Sequence, residues 1–517
     1  MLSKKWGPLL TKRFQLSSVL RVFISFSTPD GLYRLHLPGL KSIAVNAIYL
    51  SSARAVTSLA RGLYAVALAK LLGAELYGLL NYGLSWYILF VPISVLGLNE
   101  ILIREIGRDH SQAPKLVGQT LALRTVSSFI VALLSIALAW FVESDPTPRL
   151  LLFIFSAALF GRSLSLWVNA VFQAHEASGF VLVQEVVFRL LEVGVGMVLL
   201  LQGYGIVAIA MVHAASWLLQ GAIGLGVIRR HLLEVQMIWD TSALFSLIKR
   251  GAPFVISGLL FGWLLQGPIL MYRHLEGISG NLGQLALALQ ALFIIGAIIS
   301  ELRAAALPVL ARSVDRGDGK SDHYVDFVLR GGFLMGGALA IGAIAIGHWL
   351  VDFLFGPSYA LTATLLPWTL LMVAPYFWVN ALSSMIIAHG RYGMVMINNA
   401  VGALIFTIAF LLLVSEMDLL GVVLALALGL TASVVGQLIT LQRYHAGAFV
   451  NVIIRTLIAV TGALLVTYLA LSFSQWVALV AGIAALIGFS FTLGVVRVGE
   501  IRMAHDFART MMKKSKS

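Results

Sequence analysis

The stretch from Ile43 to Leu68, IAVNAIYLSSARAVTSLARGLYAVAL, carries only two charges, Arg54 and Arg61. As a helix rising about 1.5 Å per residue it is long enough to cross the roughly 30 Å hydrocarbon core of a bilayer. The two arginines are seven positions apart, nearly two helical turns, so they share one face about 10 Å apart along the axis. A charge near the bilayer centre costs at least about 2.5–3.5 kcal/mol on insertion scales, and is kept where it faces protein, water or an anionic cargo. The pair therefore marks a polar stripe, to which Asn46 and Ser58 add. With Ile43 near the inner surface, Arg54 falls close to mid-plane, Arg61 in the outer half and Lys70 near the outer mouth.

The rest of the chain has the same character. Of its 517 residues 59% are hydrophobic and 11% charged, against about 25% charged in a typical soluble domain. This composition predicts an all-α polytopic membrane protein. Apolar runs between polar breaks give about fourteen transmembrane helices, at 43–69, 77–101, 116–141, 149–172, 179–201, 205–228, 251–272, 281–301, 327–348, 361–388, 393–415, 418–441, 450–472 and 475–497. Pro92, Pro253, Pro268, Pro367 and Pro375 fall inside these runs, where bends are expected.

Lysine and arginine set the orientation, because cytoplasmic loops collect them. With the amino terminus inside, inner segments hold about 28 of the 36 basic residues. The outer loops hold only Lys70, Arg149 and Arg273, and Arg54, Arg61, Arg124, Arg162 and Arg189 lie within spans. The net charge of +13 is thus mostly a topology signal and not a nucleic-acid one. Both termini are expected in the cytoplasm, with the chain multi-pass in a membrane.

Several chemistries are excluded early. There is no cysteine, so disulfides, thiolate metal sites and thiol nucleophiles are absent together. No HExxH motif occurs and no Gly-x4-Gly-Lys-Ser/Thr nucleotide loop, since Gly319-Lys320-Ser321 has Val314 where the loop's first glycine belongs, and no metal, cofactor or catalytic residue is predicted. A membrane-embedded polysaccharide polymerase or ligase would need a large outer loop to house its site, and the outer connections are short. An enzyme is therefore not the expected reading.

The polar linker at 229–250 divides twelve spans into two sixes that share weak similarity. Leu72-Gly73 and Tyr77-Gly78 before one apolar run correspond to Leu275-Glu276-Gly277 and Leu282-Gly283 before another. An offset of six spans keeps both halves in one orientation, as in transporters built from parallel repeats. The expected organisation is a basic cytoplasmic extension at 1–41, a first six-helix lobe at 42–228, the linker at 229–250, and a second lobe at 251–441. Two C-terminal helices at 442–497 and a basic tail at 498–517 complete it. The extension reads either as a basic amphipathic helix on the inner leaflet or as a segment without regular structure.

Certain runs carry a family resemblance: Leu59-Ala60-Arg61, Ala69 through Gly78, Val95-Leu96-Gly97-Leu98, Ile103 through Arg108, Arg250 through Phe254, Leu307-Pro308 and Phe355 through Tyr359. Together they resemble the polysaccharide transporter family, the Wzx-type flippases. These share a superfamily with the lipid II flippase and the multidrug and toxin exporters. The resemblance implies alternating access on an undecaprenyl-diphosphate-linked oligosaccharide in the bacterial inner membrane, feeding O-antigen, capsule or exopolysaccharide assembly. Implied partners are that lipid-linked sugar, membrane lipids and a polysaccharide polymerase or chain-length machinery.

A diphosphate crossing hydrocarbon needs substitutes for its lost water, and planar guanidinium forks serve best. Arg54 and Arg61 are the first candidate ligands, with Lys70 beyond them. Arg162 in the fourth span, Gln266 in the seventh and Arg273 at its outer end are further candidates, with Gln284 and Gln290 as polar neighbours. Tyr87, Trp86, Trp263 and Trp378 are aromatic rings for sugar faces or packing. Competing with the cargo role, Glu185, Arg189 and Glu192 on the fifth span have i, i+4 and i, i+3 spacing. They form either an ion-pair ladder that takes up the arginines or a site where a protonatable glutamate couples transport. Arg124 is expected to snorkel to headgroups, and His213 to be a hydrogen-bonded interior residue. The rival reading is a multidrug exporter, whose cationic cargo calls for an acidic cavity.

Overall fold

The structure, a computed structural model, describes residues 40–296, 299, 320–442 and 449–496, leaving aside the side chains at 40–48, 50–52, 54, 55 and 320–323. These residues are almost wholly helical, with no strand among them. In chain order the helices are α1 (Leu40–Val95), α2 (Leu98–Arg108), α3 (Ala113–Val142), α4 (Pro146–Ala174), α5 (Ser178–Leu201), α6 (Ile206–His231) and α7 (Thr241–Glu276). Then follow α8 (Gly280–Gly296), α9 (Lys320–Phe355), α10 (Ala360–Leu371), α11 (Val373–Ala388), α12 (Tyr392–Leu441), α13 (Phe449–Ala470) and α14 (Gln475–Thr492).

Among the described residues, ten helical segments are long and apolar enough to cross a membrane. Leu133, Phe141, Leu404, Leu411 and Leu465 are each at least 46% exposed on helix surfaces, an arrangement stable only with lipid as the solvent. The chain is a multi-pass membrane protein. Helix α5 is not among the ten because Glu185, Arg189 and Glu192 lie within its 24 residues. Its polarity is the local signature of a helix turned toward protein.

The loop expected at 70–76 is not formed. Helix α1 instead runs through a single break at Gly73, whose φ of 76° is a left-handed conformation open to glycine at little cost. Helix α12 is broken similarly at Asp418, with φ 47°, where the boundary between two spans was expected. The Asp418 side chain is fixed by Tyr272 Oη–H, which donates to Oδ1 at 2.6 Å. Elsewhere helices begin at side-chain caps: Asp240 accepts from the Ala243 N–H and Ser474 from the Val477 N–H. The linker expected at 229–250 is shortened from both sides by α6 and α7.

Helix α2 also replaces expected loop. Its Leu98, Ile101, Leu102 and Ile106 recur at helical spacing and are buried, while Arg104 and Arg108 face outward. This overturns the reading of Arg124, which is fully buried and donates to Asn99 Oδ1 near the start of α2 instead of reaching a headgroup.

Helix α4 packs on α6, α3 and α1, and α5 packs on α1 and α6. Helix α7 packs on α12 and also on α1; α13 and α14 pack on each other and on α9. Helix α1 therefore touches both the early helices and α7, which places Arg61 where the interior of the early group is built.

Candidate functional site

A cavity of about 220 Å³ opens among α1, α4, α5 and α6, with Gln290 of α8 at its edge. Arg61, Tyr64 and Tyr87 come from α1, Arg162 from α4, Arg189 and Glu192 from α5, and His213 and Trp217 from α6. Its shape depends on one close approach. A Cβ on Gly161 would lie 2.4 Å from the Leu218 nitrogen and 2.6 Å from the Trp217 carbonyl carbon. Backbone touches backbone there, and Arg162, the next residue, has its guanidinium carbon 4.6 Å from the Trp217 ring centre. Gly161→Ala is expected to force α4 and α6 apart, costing about 1–3 kcal/mol. A lower thermal unfolding midpoint of the detergent-purified protein checks this.

Glu192 organises the charged wall. Its Oε2 accepts from Arg189 Nη1, forming the i, i+3 pair, and its Oε1 lies 2.8 Å from His213 Nδ1. The Trp217 indole N–H donates to His213 Nε2 at 3.1 Å. An indole nitrogen can only donate, so His213 Nε2 is the acceptor and the ring proton sits on Nδ1, pointing at Glu192. Tyr87 Oη also lies 3.1 Å from Nε2, and the Tyr87 ring stacks on Phe155. His213 is thus the hydrogen-bonded interior residue expected.

Three guanidinium groups share this cavity with one lining carboxylate. Glu185, the other nearby acid, does not line it: its Oε1 accepts from Asn169 Nδ2 at 2.8 Å and Gln220 Nε2 at 3.3 Å. The i, i+4 pair expected between Glu185 and Arg189 is not formed. Arg189 is 3% exposed, yet its Nε and Nη2 find no acceptor among the described residues, and the same holds for Arg162 Nε. Buried guanidinium donors without acceptors, in a cavity with surplus positive charge, suit an anion.

Other expected site residues fall elsewhere. The Arg54 side chain lies outside the described residues. Lys70 is exposed and does not line the cavity, and Gln266 is buried away from it. Arg273 differs most from expectation. It is 6% exposed, with Nη2 3.1 Å from both Glu143 Oε1 and Asp145 Oδ2. It is engaged in an ion pair from the end of α7 to the α3–α4 connection.

Trp86, Trp263 and Trp378 each donate to internal acceptors, so these rings are committed to packing. Gln284 caps α10 by accepting from the Leu361 and Thr362 N–H groups. Trp217 was missed by sequence reading. The available signal was its position four residues after His213, which places both on one face of α6.

The model of a family described as polysaccharide biosynthesis protein matches residues 43–314, and all the cavity residues named above lie within that range. Among solved structures, the lipid II flippase MurJ in an inward closed conformation is similar, with a TM-score of 0.67 at 14% identity. That match covers 88% of this chain and 100% of the other. An inward-facing multidrug resistance MATE family transporter of the MOP superfamily gives 0.60 at 15% identity, covering 77% and 98%. The eukaryotic MATE transporter AtDTX14 gives 0.58 at 17%, covering 82% and 96%. At these identities the likeness is one of fold. No curated protein sequence matches the chain.

Proposed function

Because the chain belongs to the polysaccharide biosynthesis protein family, we propose that it is a flippase for an undecaprenyl-diphosphate-linked oligosaccharide. On this reading it carries the lipid-linked sugar from the inner to the outer leaflet of a bacterial inner membrane by alternating access, for O-antigen, capsule or exopolysaccharide assembly. Fourteen spans are taken, counting two from each of the broken helices α1 and α12 and one each from α5 and α8. They form two six-helix lobes at 42–228 and 251–441 followed by α13 and α14, with both termini cytoplasmic. A polysaccharide polymerase or chain-length machinery would receive the product.

The observation that carries this reading is the cavity's charge. Arg61, Arg162 and Arg189 face a single lining carboxylate, Glu192. The fold is shared with exporters as much as with flippases, so fold does not choose between them. A cationic drug entering this cavity would meet like charge, whereas a diphosphate finds the guanidinium donors that the protein leaves unmatched. A group of this kind moves a lipid and makes no bond, so the chain is read as a transporter and not an enzyme.

Arg61 is the most exposed of the three arginines. In a strain depending on this chain for surface polysaccharide, Arg61→Ala is expected to reduce that polysaccharide at least about tenfold, the effect of about 1.4 kcal/mol, with membrane levels of the protein unchanged. Arg61→Lys, keeping charge but losing the fork, is expected to restore it only in part. Normal polysaccharide from Arg61→Ala, together with heightened sensitivity to cationic drugs in a strain lacking the chain, would instead establish the exporter.

A further inference from the structure

Two cations lie against the Trp217 ring. The guanidinium carbons of Arg162 and Arg189 lie 4.6 Å and 4.8 Å from its ring centre, so their separation is at most those two lengths laid end to end. Like charges this close in a buried setting repel, and Glu192 pairs with only one of them: among the described residues Arg162 has no carboxylate partner. Both remain beside the ring because its π-face attracts each. The ring itself is fixed. Trp217 is 2% exposed, its N–H is held by His213 Nε2, His213 is held by Glu192, and its backbone abuts Gly161.

We infer that Trp217 is a positioning residue that holds Arg162 and Arg189 as a two-guanidinium grip, selecting an anion with two adjacent phosphates over one with a single phosphate. The inference rests on the flippase reading and specifies its site. Each guanidinium retains N–H groups without acceptors, Nε of Arg162 and Nε and Nη2 of Arg189. Two forks held at a set spacing can engage two neighbouring phosphates at once, whereas a monophosphate satisfies one fork and leaves the other charge unbalanced. Trp217 need not touch the anion. It sets where the two forks stand, and His213 sets the ring.

The test is calorimetric titration of the full-length protein in detergent with inorganic pyrophosphate and, separately, inorganic phosphate. The unaltered protein is expected to prefer pyrophosphate by about tenfold or more. Trp217→Leu should lose that preference, with pyrophosphate affinity falling about tenfold and phosphate affinity changing less than about threefold. Trp217→Phe, which keeps a ring, should retain most of it. His213→Leu, which releases the indole while leaving it in place, should lower the preference at least about threefold, and it serves if Trp217→Leu does not fold. A general loss of structure would weaken both anions together, so the ratio separates positioning from folding. Full preference in folded Trp217→Leu or His213→Leu overturns the inference, and the flippase reading survives if Arg61→Ala still weakens pyrophosphate. No pyrophosphate binding by the unaltered protein overturns both.

Discussion

Arg273→Ala is expected to destabilise the protein by about 3–5 kcal/mol, the usual consequence of stranding one member of a buried ion pair. Glu143 is 4% exposed; besides Arg273, the Asp145 N–H at 3.3 Å donates to its carboxylate, and the Tyr82 hydroxyl lies against it. Without the guanidinium, a carboxylate is left buried with little compensation. Removing both buried charges in Arg273→Ala/Glu143→Ala should recover much of the loss, because the partner that remains, Asp145, is exposed to solvent. Thermal unfolding of the two single variants and the double variant in detergent measures this as a cycle. Simple additivity would show that the pair contributes nothing. The neighbours of Arg273 also engage other helices: Tyr272 bonds Asp418, and His274 Nε2 lies 3.4 Å from Tyr82 Oη. Three successive residues at the end of α7 thus reach three different elements.

Glu192→Ala is expected to have an effect of similar size on stability and a larger one on transport. The carboxylate is 7% exposed and serves both Arg189 and His213. Its removal leaves Arg189 buried without counter-charge, again costing about 3–5 kcal/mol. Glu192→Gln separates the two consequences. The amide keeps the shape and can still hydrogen-bond, so stability should fall less, but the cavity gains a full positive charge. Pyrophosphate should then bind more tightly while surface polysaccharide declines, because an anion held too strongly leaves slowly. Calorimetry and polysaccharide assay on the same variant provide the check, and weaker binding in Glu192→Gln would contradict the assignment of the cavity to an anion.

Sequence patterning was sufficient for the helical, membrane-spanning character, since apolar runs and basic breaks are properties of single segments. The breaks at Gly73 and Asp418 fell beside expected span boundaries because glycine and aspartate are common where helices must turn. Helix rotation was less legible. Spacing put Arg189 and Glu192 within reach, but only packing showed that Glu185 turns toward Asn169 and Gln220. Arg61 and Arg162 converge on one cavity from helices a hundred residues apart, which no local pattern records. The ion pair of Arg273 was not legible for the same reason, since its partner Glu143 is 130 residues away. Arg124 was misread because α2 folds over a surface that, without it, would face headgroups. The proposed cargo role draws its support from number: one lining glutamate cannot neutralise three arginines.

The double engagement of Glu192 has a consequence for how this cavity can vary among related sequences. A change at Glu192 leaves Arg189 without its counter-charge and His213 without its acceptor, and a change at His213 frees Trp217. These positions should therefore be inherited as a block, with single departures rare and paired departures charge-balanced. Arg61, which bonds none of them, should vary independently of that block.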